Sequence, residues 1–458
     1  MTIPQHNYRN VKDWRSRGLL WFTSPTHALN LAIFRVATCI VWLFMVKPLE
    51  ALYFVGVPGS LSEPTGFWGV LRDAGVELPR SSEVVVAASV IFVIATLLAM
   101  VGWRARWMLG VVLVTGGLVL TIPQVLGRIN HCNHLVFATI LLIASPCDHA
   151  LSLRRTERSG NGAMIDIAYA LPLRFMAVLL AIAYFFPGYW KVDRVGSYWM
   201  TPTNFIHMLD GKWHELGGWM PMFRVDKVRW LCAMLATGTI VFEVGWWMLL
   251  LGGPKCRAVA ALVASSFHIG TFLLMRINFL HMVACQVVLI DWHALLARLR
   301  GGSAQRMVAS GPTRFRCSVI ATMILGVMLV GAQVFEGVTR RDDWPLGCYP
   351  TFARRATGET PVLIARVTMQ DGLTLVVRES TLHSVTTSAR ARVLCNRAWS
   401  LPNREQRLVD LWDQFVRVDP TLLHAERVEF YVRTESTCAD TMGDVIGTEE
   451  LIFTLVPQ

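Results

Sequence analysis

The sequence predicts an all-α polytopic membrane bundle of about nine transmembrane helices with a small C-terminal α+β extramembrane domain. Three observations carry that expectation. Of 458 residues, 53% are hydrophobic and 16% are charged, whereas soluble domains carry about a quarter charged residues. Mean hydropathy is +0.44. Apolar runs long enough to cross a bilayer recur up to residue 335, and mixed-sign segments replace them after Pro345.

The same figures exclude several classes. A net charge of +11 suits nucleic acid in principle. Here the basic residues sit in short loops between apolar runs, with no basic–aromatic patch, so no nucleic-acid partner is expected. The 17 tryptophans suit interfacial belts and a membrane-lipid environment. There is no nucleophile elbow, phosphate loop, dinucleotide fingerprint or HExxH motif, so ATP, NAD and haem are not expected.

Residues 1–27 open with Arg9, Lys12, Arg15 and Arg17 and form a basic N-terminal segment. The apolar run from Leu29 is too long and too distant for a signal-peptide core and reads as an uncleaved first span. Apolar windows fall at 29–47, 84–102, 107–126, a short 134–147, 172–190, 230–251, 258–275, 277–294 and 317–335. Residues 28–300 hold the main transmembrane domain. Residues 301–340 hold a basic loop and the final helix, and 341–458 the exterior domain.

Basic sites at Arg104/Arg106, Arg154/Arg155/Arg158, Lys255/Arg257 and 298–316 alternate with the acidic 47–83 loop. Positive-inside counting places the N-terminus in the cytoplasm and the tail outside. The loop with Arg224, Lys227 and Arg229 is the exception. This orientation brings Lys191, His131, His134, Arg276 and Asn278 to the outer ends of their helices, where they can meet at one depth.

In the tail, Val362–Met369 alternates as a strand, Asp371-Gly372 signals a hairpin turn and Leu373–Arg378 returns. Arg407–Val418 has helical periodicity, with Leu408, Leu411, Trp412 and Phe415 on one face. Arg427–Val432 and Leu451–Val456 read as further strands. Cys348, Cys395 and Cys438 lie outside the membrane in this topology, so one pair is a candidate disulfide with one thiol left over.

The residues with chemical potential cluster around Ala181–Asp193. An apolar helix runs there into Lys191, beside aromatics, Pro187 and Gly188. A lysine at the edge of hydrocarbon is costly as a cation, which makes it a candidate proton acceptor. The bland alternative is a snorkelling anchor. Asp193 is placed to orient the amine, and Pro187-Gly188 to break the helix and free backbone groups toward a cavity. Tyr198 and Trp199 can line a slot for a flat ring, or serve as belt residues.

His131, Asn133 and His134 open the fourth window, with Asn133 a candidate cap. Zinc would lack a third and fourth ligand there, and no metal is expected. His268, in the seventh window, is either hydrogen-bonded glue between helices or a ligand contact. Glu243 needs a buried partner, and Arg35 in the first window or His268 can supply it; an Arg35–Glu243 intramembrane pair is the expectation. Arg276 is either a clamp for a carboxylate or a headgroup anchor.

At Gly188-Tyr189-Trp190-Lys191-Val192-Asp193 the chain resembles the vitamin K-dependent gamma-carboxylases and their bacterial relatives with the horizontally transferred transmembrane (HTTM) domain. Tyr198 and Trp199 follow in the family's order. Asn133-His134-Leu135 opens a short span ending near Pro146, and Phe34-Arg35 lies in the first span. Residues 344–352, from Trp344-Pro345 to Phe352, resemble the entry to the tail of some bacterial members. One departure is that the carboxylases carry two adjacent lysines, and Trp190 stands where the first would be. The exterior tail is also far shorter than theirs.

The resemblance implies a bacterial inner-membrane protein with an exterior, periplasmic tail. It implies that Lys191 is the base toward a reduced quinone, with His134 as supporting acid/base and O2 and CO2 as co-substrates. The substrate would be a peptide, a protein side chain or a small molecule. The alternative is a non-enzymatic scaffold or peptide-maturation partner that retains the fold. A transporter is disfavoured by the lack of internal repeats and paired broken helices.

Overall fold

The structure, a computed structural model, describes residues 14–62, 64, 66–124, 132–153, 165–301, 315–340, 344, 346–347 and 352–457. Seven helices among them are long and apolar enough to cross a membrane. They are α2 (Ala28–Met45), α5 (Ser82–Met100), α6 (Ala105–Thr121), α8 (Ile167–Val195), α10 (Arg229–Leu250), α11 (Pro254–Met275) and α14 (Arg316–Thr339). This is the architecture of an integral membrane protein. The other two expected spans differ. The window at 134–147 is α7 (Asn133–Ala144), which is 12 residues long. Its rise of about 18 Å is well short of the hydrocarbon core. The window at 277–294 is a broken unit: α12 (Leu280–Cys285) and its 3-10 extension bend by 75° into α13 (Trp292–Leu299).

The lipid-facing helices show their role in their exposure. On α5, Val86, Val90, Ile91, Ile94 and Leu97 are all exposed, as expected where hydrocarbon replaces water around a bundle. α8 is the axis of the bundle: 72% of its apolar window is buried, against 22% for α14. α14 packs closely on it because Gly337 carries no side chain. A Cβ there would lie 2.3 Å from the Phe186 ring. Small residues at such crossings let helix backbones approach.

Arg35 is fully buried in α2 and does not pair with Glu243. Its guanidinium donates to the carbonyls of Cys147 (2.5 Å), Leu151 (2.6 Å), Ala150 (3.3 Å) and Met100 (3.3 Å). The planar five-donor fork thus gathers the ends of α5 and of the turns after α7, where helix-terminal carbonyls lack intrahelical partners. The expected Arg35–Glu243 pair is replaced by this capping role.

The tail is a four-stranded antiparallel sheet, in the order β4-β3-β5-β6, with two helices. The strands are β3 (Glu359–Met369), β4 (Thr374–Arg378), β5 (Ala425–Ser436) and β6 (Val445–Leu455). The β3–β4 turn is closed by Gly372 N–H donating to the Met369 carbonyl. α16 (Arg404–Val418) buries Leu408, Leu411, Trp412 and Phe415. α15 (Ser388–Ser400) is an additional helix that its weak, Arg-rich periodicity hid. Cys395 and Cys438 are free thiols, so they do not pair with each other; Cys348 lies outside the described residues.

Ionic contacts dock this domain on the bundle. Glu50 on α3 (Pro48–Val55) meets Arg390 at 2.6 Å, both nearly fully buried, and accepts from Thr386 at 2.8 Å. Burial alone would raise the Glu50 carboxyl, but Arg390 and Thr386 bring it below its ordinary value. On the other side, His214 of α9 (Pro202–Glu215) lies 2.9 Å from Glu435, which Arg378 and Arg433 also reach at 3.0 and 2.6 Å. Arg392 bridges Glu379 (2.6 Å) and His214 Nδ1 (2.9 Å). Two charges of the exceptional basic loop are also engaged, Arg224 with Asp226 inside the loop and Lys227 with Asp440 of the tail.

Candidate active site

α8 runs unbroken through Pro187 and Gly188, so the expected helix break does not form. Pro187 forgoes its own N–H bond, but packing against α10 and α14 holds the helix. Gly188 serves a different purpose. A Cβ there would lie 2.7 Å from Glu243 Cβ and 3.0 Å from Val244 Cγ2. The missing side chain therefore admits α10 one turn below Lys191 and brings a carboxylate within reach of its amine.

Lys191 Nζ lies 2.5 Å from Glu243 Oε1, and the two side chains are 5% and 7% exposed. The amine also sits 5.0 Å from the centroid of the Trp199 ring, a cation–π distance. Trp199 is held by the 3-10 turn Gly196–Met200 and by its Nε1–H donating to the Phe352 carbonyl at 2.9 Å. Glu243 Oε2 is buried and has no hydrogen-bond partner among the described residues. Breaking a buried ion pair strands a charge in low dielectric, so the two groups depend on each other.

The remaining expected residues divide. Trp199 joins Lys191. Asp193 turns outward and pairs with Arg340 at 2.6 Å, so it does not orient the amine. Tyr198 lies under the Arg355 guanidinium, 4.3 Å from it. Arg276 caps α11 in the left-handed region (φ 54°) and stacks over Trp219 at 4.5 Å. Its guanidinium rests on the indole face there, and no contact between it and Lys191 is present among the described residues.

His134 is fully buried, with Nε2 at 3.4 Å from the Leu179 carbonyl and 3.3 Å from Gln333 Nε2. Leu179 precedes Lys191 by about 18 Å of helix rise, roughly three and a third turns. The short α7 thus meets α8 at mid-depth, and His134 is not brought to Lys191. Asn133 donates to the Gly347 carbonyl at 2.8 Å. His131 lies outside the described residues.

His268 is hydrogen-bonded between helices, one of the two roles expected of it, in a cluster whose other members, Tyr184 and Gln286, the sequence reading missed. Its Nε2 is 2.8 Å from the Tyr184 hydroxyl, which also accepts from Gln286 Nε2 at 2.9 Å. Phe242 and Trp246 enclose the phenol at 4.9 and 4.8 Å between ring centroids. Tyr184 precedes Lys191 by seven residues, which returns it to the same face of α8. That spacing was the available signal.

Together these features define a polytopic integral membrane protein with a docked α+β domain and a buried lysine–glutamate pair at the domain-side end of its central helix. Its particular relatives do not emerge from comparison: no family model matches the chain, and neither do any curated protein or solved structure.

Proposed function

We propose that the protein is an integral membrane enzyme of the HTTM, vitamin K-dependent gamma-carboxylase-like kind. In this reading Lys191 is the base that activates a reduced quinone at the outer leaflet, and the product is a modified peptide or small substrate. One observation carries the reading. Lys191 is buried against Glu243, whose second oxygen lacks a partner among the described residues, on an indole face. An amine, an unsatisfied carboxylate oxygen and an aromatic wall are the donor–acceptor set that suits a phenolic hydroxyl.

Lys191, Glu243 and Trp199 would hold such a group. The reduced quinone, when bound, supplies the reducing equivalents for oxygen chemistry. The chain's own residues manage the proton. Transfer of a proton from Lys191 Nζ to Glu243 Oε1 leaves a neutral amine, which is the form able to act as base. Glu243 takes the supporting role that the resemblance had implied for His134. Burial excludes water from both groups.

The long helices number seven, or eight crossings if the bent α12–α13 unit is one span; in this reading the chain also changes sides at α7, which is too short to span alone, giving nine passes. An odd number puts the two termini on opposite sides of the membrane, and the bias of Lys and Arg toward the cytoplasm makes the N-terminus the inner one in this reading.

The test is fixation of labelled carbon dioxide into acid-stable product by the purified protein with reduced quinone and O2. Lys191→Arg, which keeps a positive charge beside Glu243, is expected to abolish it while the protein still inserts and folds. If wild type forms no product and Lys191→Arg leaves the host phenotype intact while tail truncation destroys it, the scaffold reading replaces this one.

A further inference from the structure

The turn between α5 and α6 borders a recess that the proposed reaction does not use. Residues 26–27 and 165–166 pair at the starts of α2 and α8, and Arg35, about two turns into α2, binds the Met100 carbonyl at the end of α5. The turn therefore lies at the end of the bundle opposite Lys191. α5 rises about 28 Å, close to the thickness of a hydrocarbon core, so the turn reaches a membrane surface. Trp103, Trp107, Leu151 and Leu153 are exposed around it, as expected of side chains at a lipid interface. One wall of the recess is the turn itself, with Arg104 in the left-handed region (φ 43°). The other wall follows α7, with Leu151 in the same region (φ 50°). Leu153 N–H donates to the Val101 carbonyl at 3.0 Å and Ser152 Oγ to the Gly102 carbonyl at 2.9 Å, which ties the walls together. The cavity between them, about 570 Å³, is lined by Arg104, Arg106, Trp107, Asp148 and Ser152 among others.

Two cations and one anion face this space without neutralising one another. Arg106 Nε donates to the Ile143 carbonyl at 2.8 Å, and the Arg104 guanidinium lies 5.5 Å from the centroid of the Trp103 ring. The Asp148 carboxylate comes to 4.0 Å from His149 Nε2. Among the described residues, neither guanidinium forms an ion pair with Asp148 or with any other carboxylate. Opposite charges that share a recess and stay apart suit a ligand that carries the complementary pair. We propose that the recess binds the headgroup of a membrane phospholipid whose phosphate diester carries a primary ammonium, an ethanolamine headgroup. Arg104 and Arg106 take the phosphate through their planar forks. Asp148 accepts from the ammonium, and the exposed Trp107 ring gives the acyl chains an apolar border. A choline headgroup has no N–H for Asp148, and a glycerol headgroup has no cation at all. Binding makes and breaks no covalent bond, and it does not depend on Lys191 acting as a base.

The test weighs the full-length protein with its bound lipid by native mass spectrometry. Protein in detergent is given an equimolar mixture of ethanolamine, choline and glycerol phospholipids with identical chains. The wild type is expected to retain the ethanolamine lipid about tenfold over each of the others, the order of one charge-assisted hydrogen bond. Asp148→Asn keeps the shape of the side chain and is expected to erase that preference while lipid still binds. Arg104→Ala combined with Arg106→Ala is expected to lower retention of all the lipids at least about tenfold. Should that double variant fail to fold, Asp148→Asn alone decides. Equal retention of the lipids by the wild type, a preference that survives Asp148→Asn, or unaltered retention in a folded arginine double variant would each overturn the proposal. Soluble phosphoethanolamine in excess separates a lipid from a free phosphate ester. The bound lipid is expected to stay, and its displacement would overturn the assignment to a lipid.

Discussion

Two buried carboxylates set the terms for reading this molecule. Glu435, at the joint between bundle and sheet domain, is met by His214, Arg378 and Arg433. Among the described residues, Glu243, inside the bundle, is met by one lysine and keeps an oxygen without a partner. Full satisfaction rigidifies, and a saturated carboxylate has little left to offer a ligand. Partial satisfaction is costly in low dielectric and persists where a group has other work. The difference separates a docking joint from a candidate reaction centre.

Substitution at the two carboxylates tests that separation. The largest effect is expected for Glu243→Ala, which strands the Lys191 ammonium and costs about 3–5 kcal/mol in reversible unfolding in detergent. Replacing both partners, as Lys191→Met with Glu243→Leu, should recover most of that stability and none of the activity. If the double variant is as unstable as the single one, the pair holds the fold in a way this account lacks.

The next effect concerns acid. Burial alone would raise the Glu435 carboxyl, but the His214 hydrogen bond and the Arg433 and Arg378 charges bring it down from 4.5 to about 2. A depressed carboxylate stabilises above its unfolded value and loses that contribution as pH falls through the folded one. The joint should therefore hold at pH 5 and weaken between 4.5 and about 2. The contribution at neutral pH is about 3 kcal/mol. Hydrogen exchange in β5 and α9 across that window checks it. Glu435→Gln should remove the dependence.

Gly188→Ala is a smaller perturbation with a sharper location. Its Cβ would collide with Glu243 Cβ at 2.7 Å, which should cost about 1–3 kcal/mol by overpacking and move the carboxylate off the amine. An intact Lys191–Glu243 distance in a structure of that variant would contradict the role assigned to the glycine. The least effect belongs to Asp193→Asn. Its pair with Arg340 is partly exposed and should be worth no more than about 1 kcal/mol.

Much of this was legible in the chain. Periodicity located every long helix to within a few residues, because a bilayer demands uninterrupted apolar length. Alternation and the Asp371-Gly372 turn located the hairpin of the tail. Charge partners were not legible. Arg35 and Glu243 are the two obvious intramembrane charges, yet Arg35 found carbonyls at helix ends, which no residue pattern announces. Lys191 found Glu243 only because Gly188 lets α10 approach, a matter of inter-helix distance. The helix break expected at Pro187 failed for a related reason, since tertiary packing on both sides outweighed a local propensity.

The most direct test of the central claim is Lys191→Arg. A guanidinium keeps the positive charge and the contact with Glu243 but cannot give up its proton to serve as a base. The account predicts a folded, inserted protein that fixes no labelled carbon dioxide in the presence of reduced quinone and O2. Activity comparable to wild type in that variant would mean that Lys191 supplies a charge and nothing more.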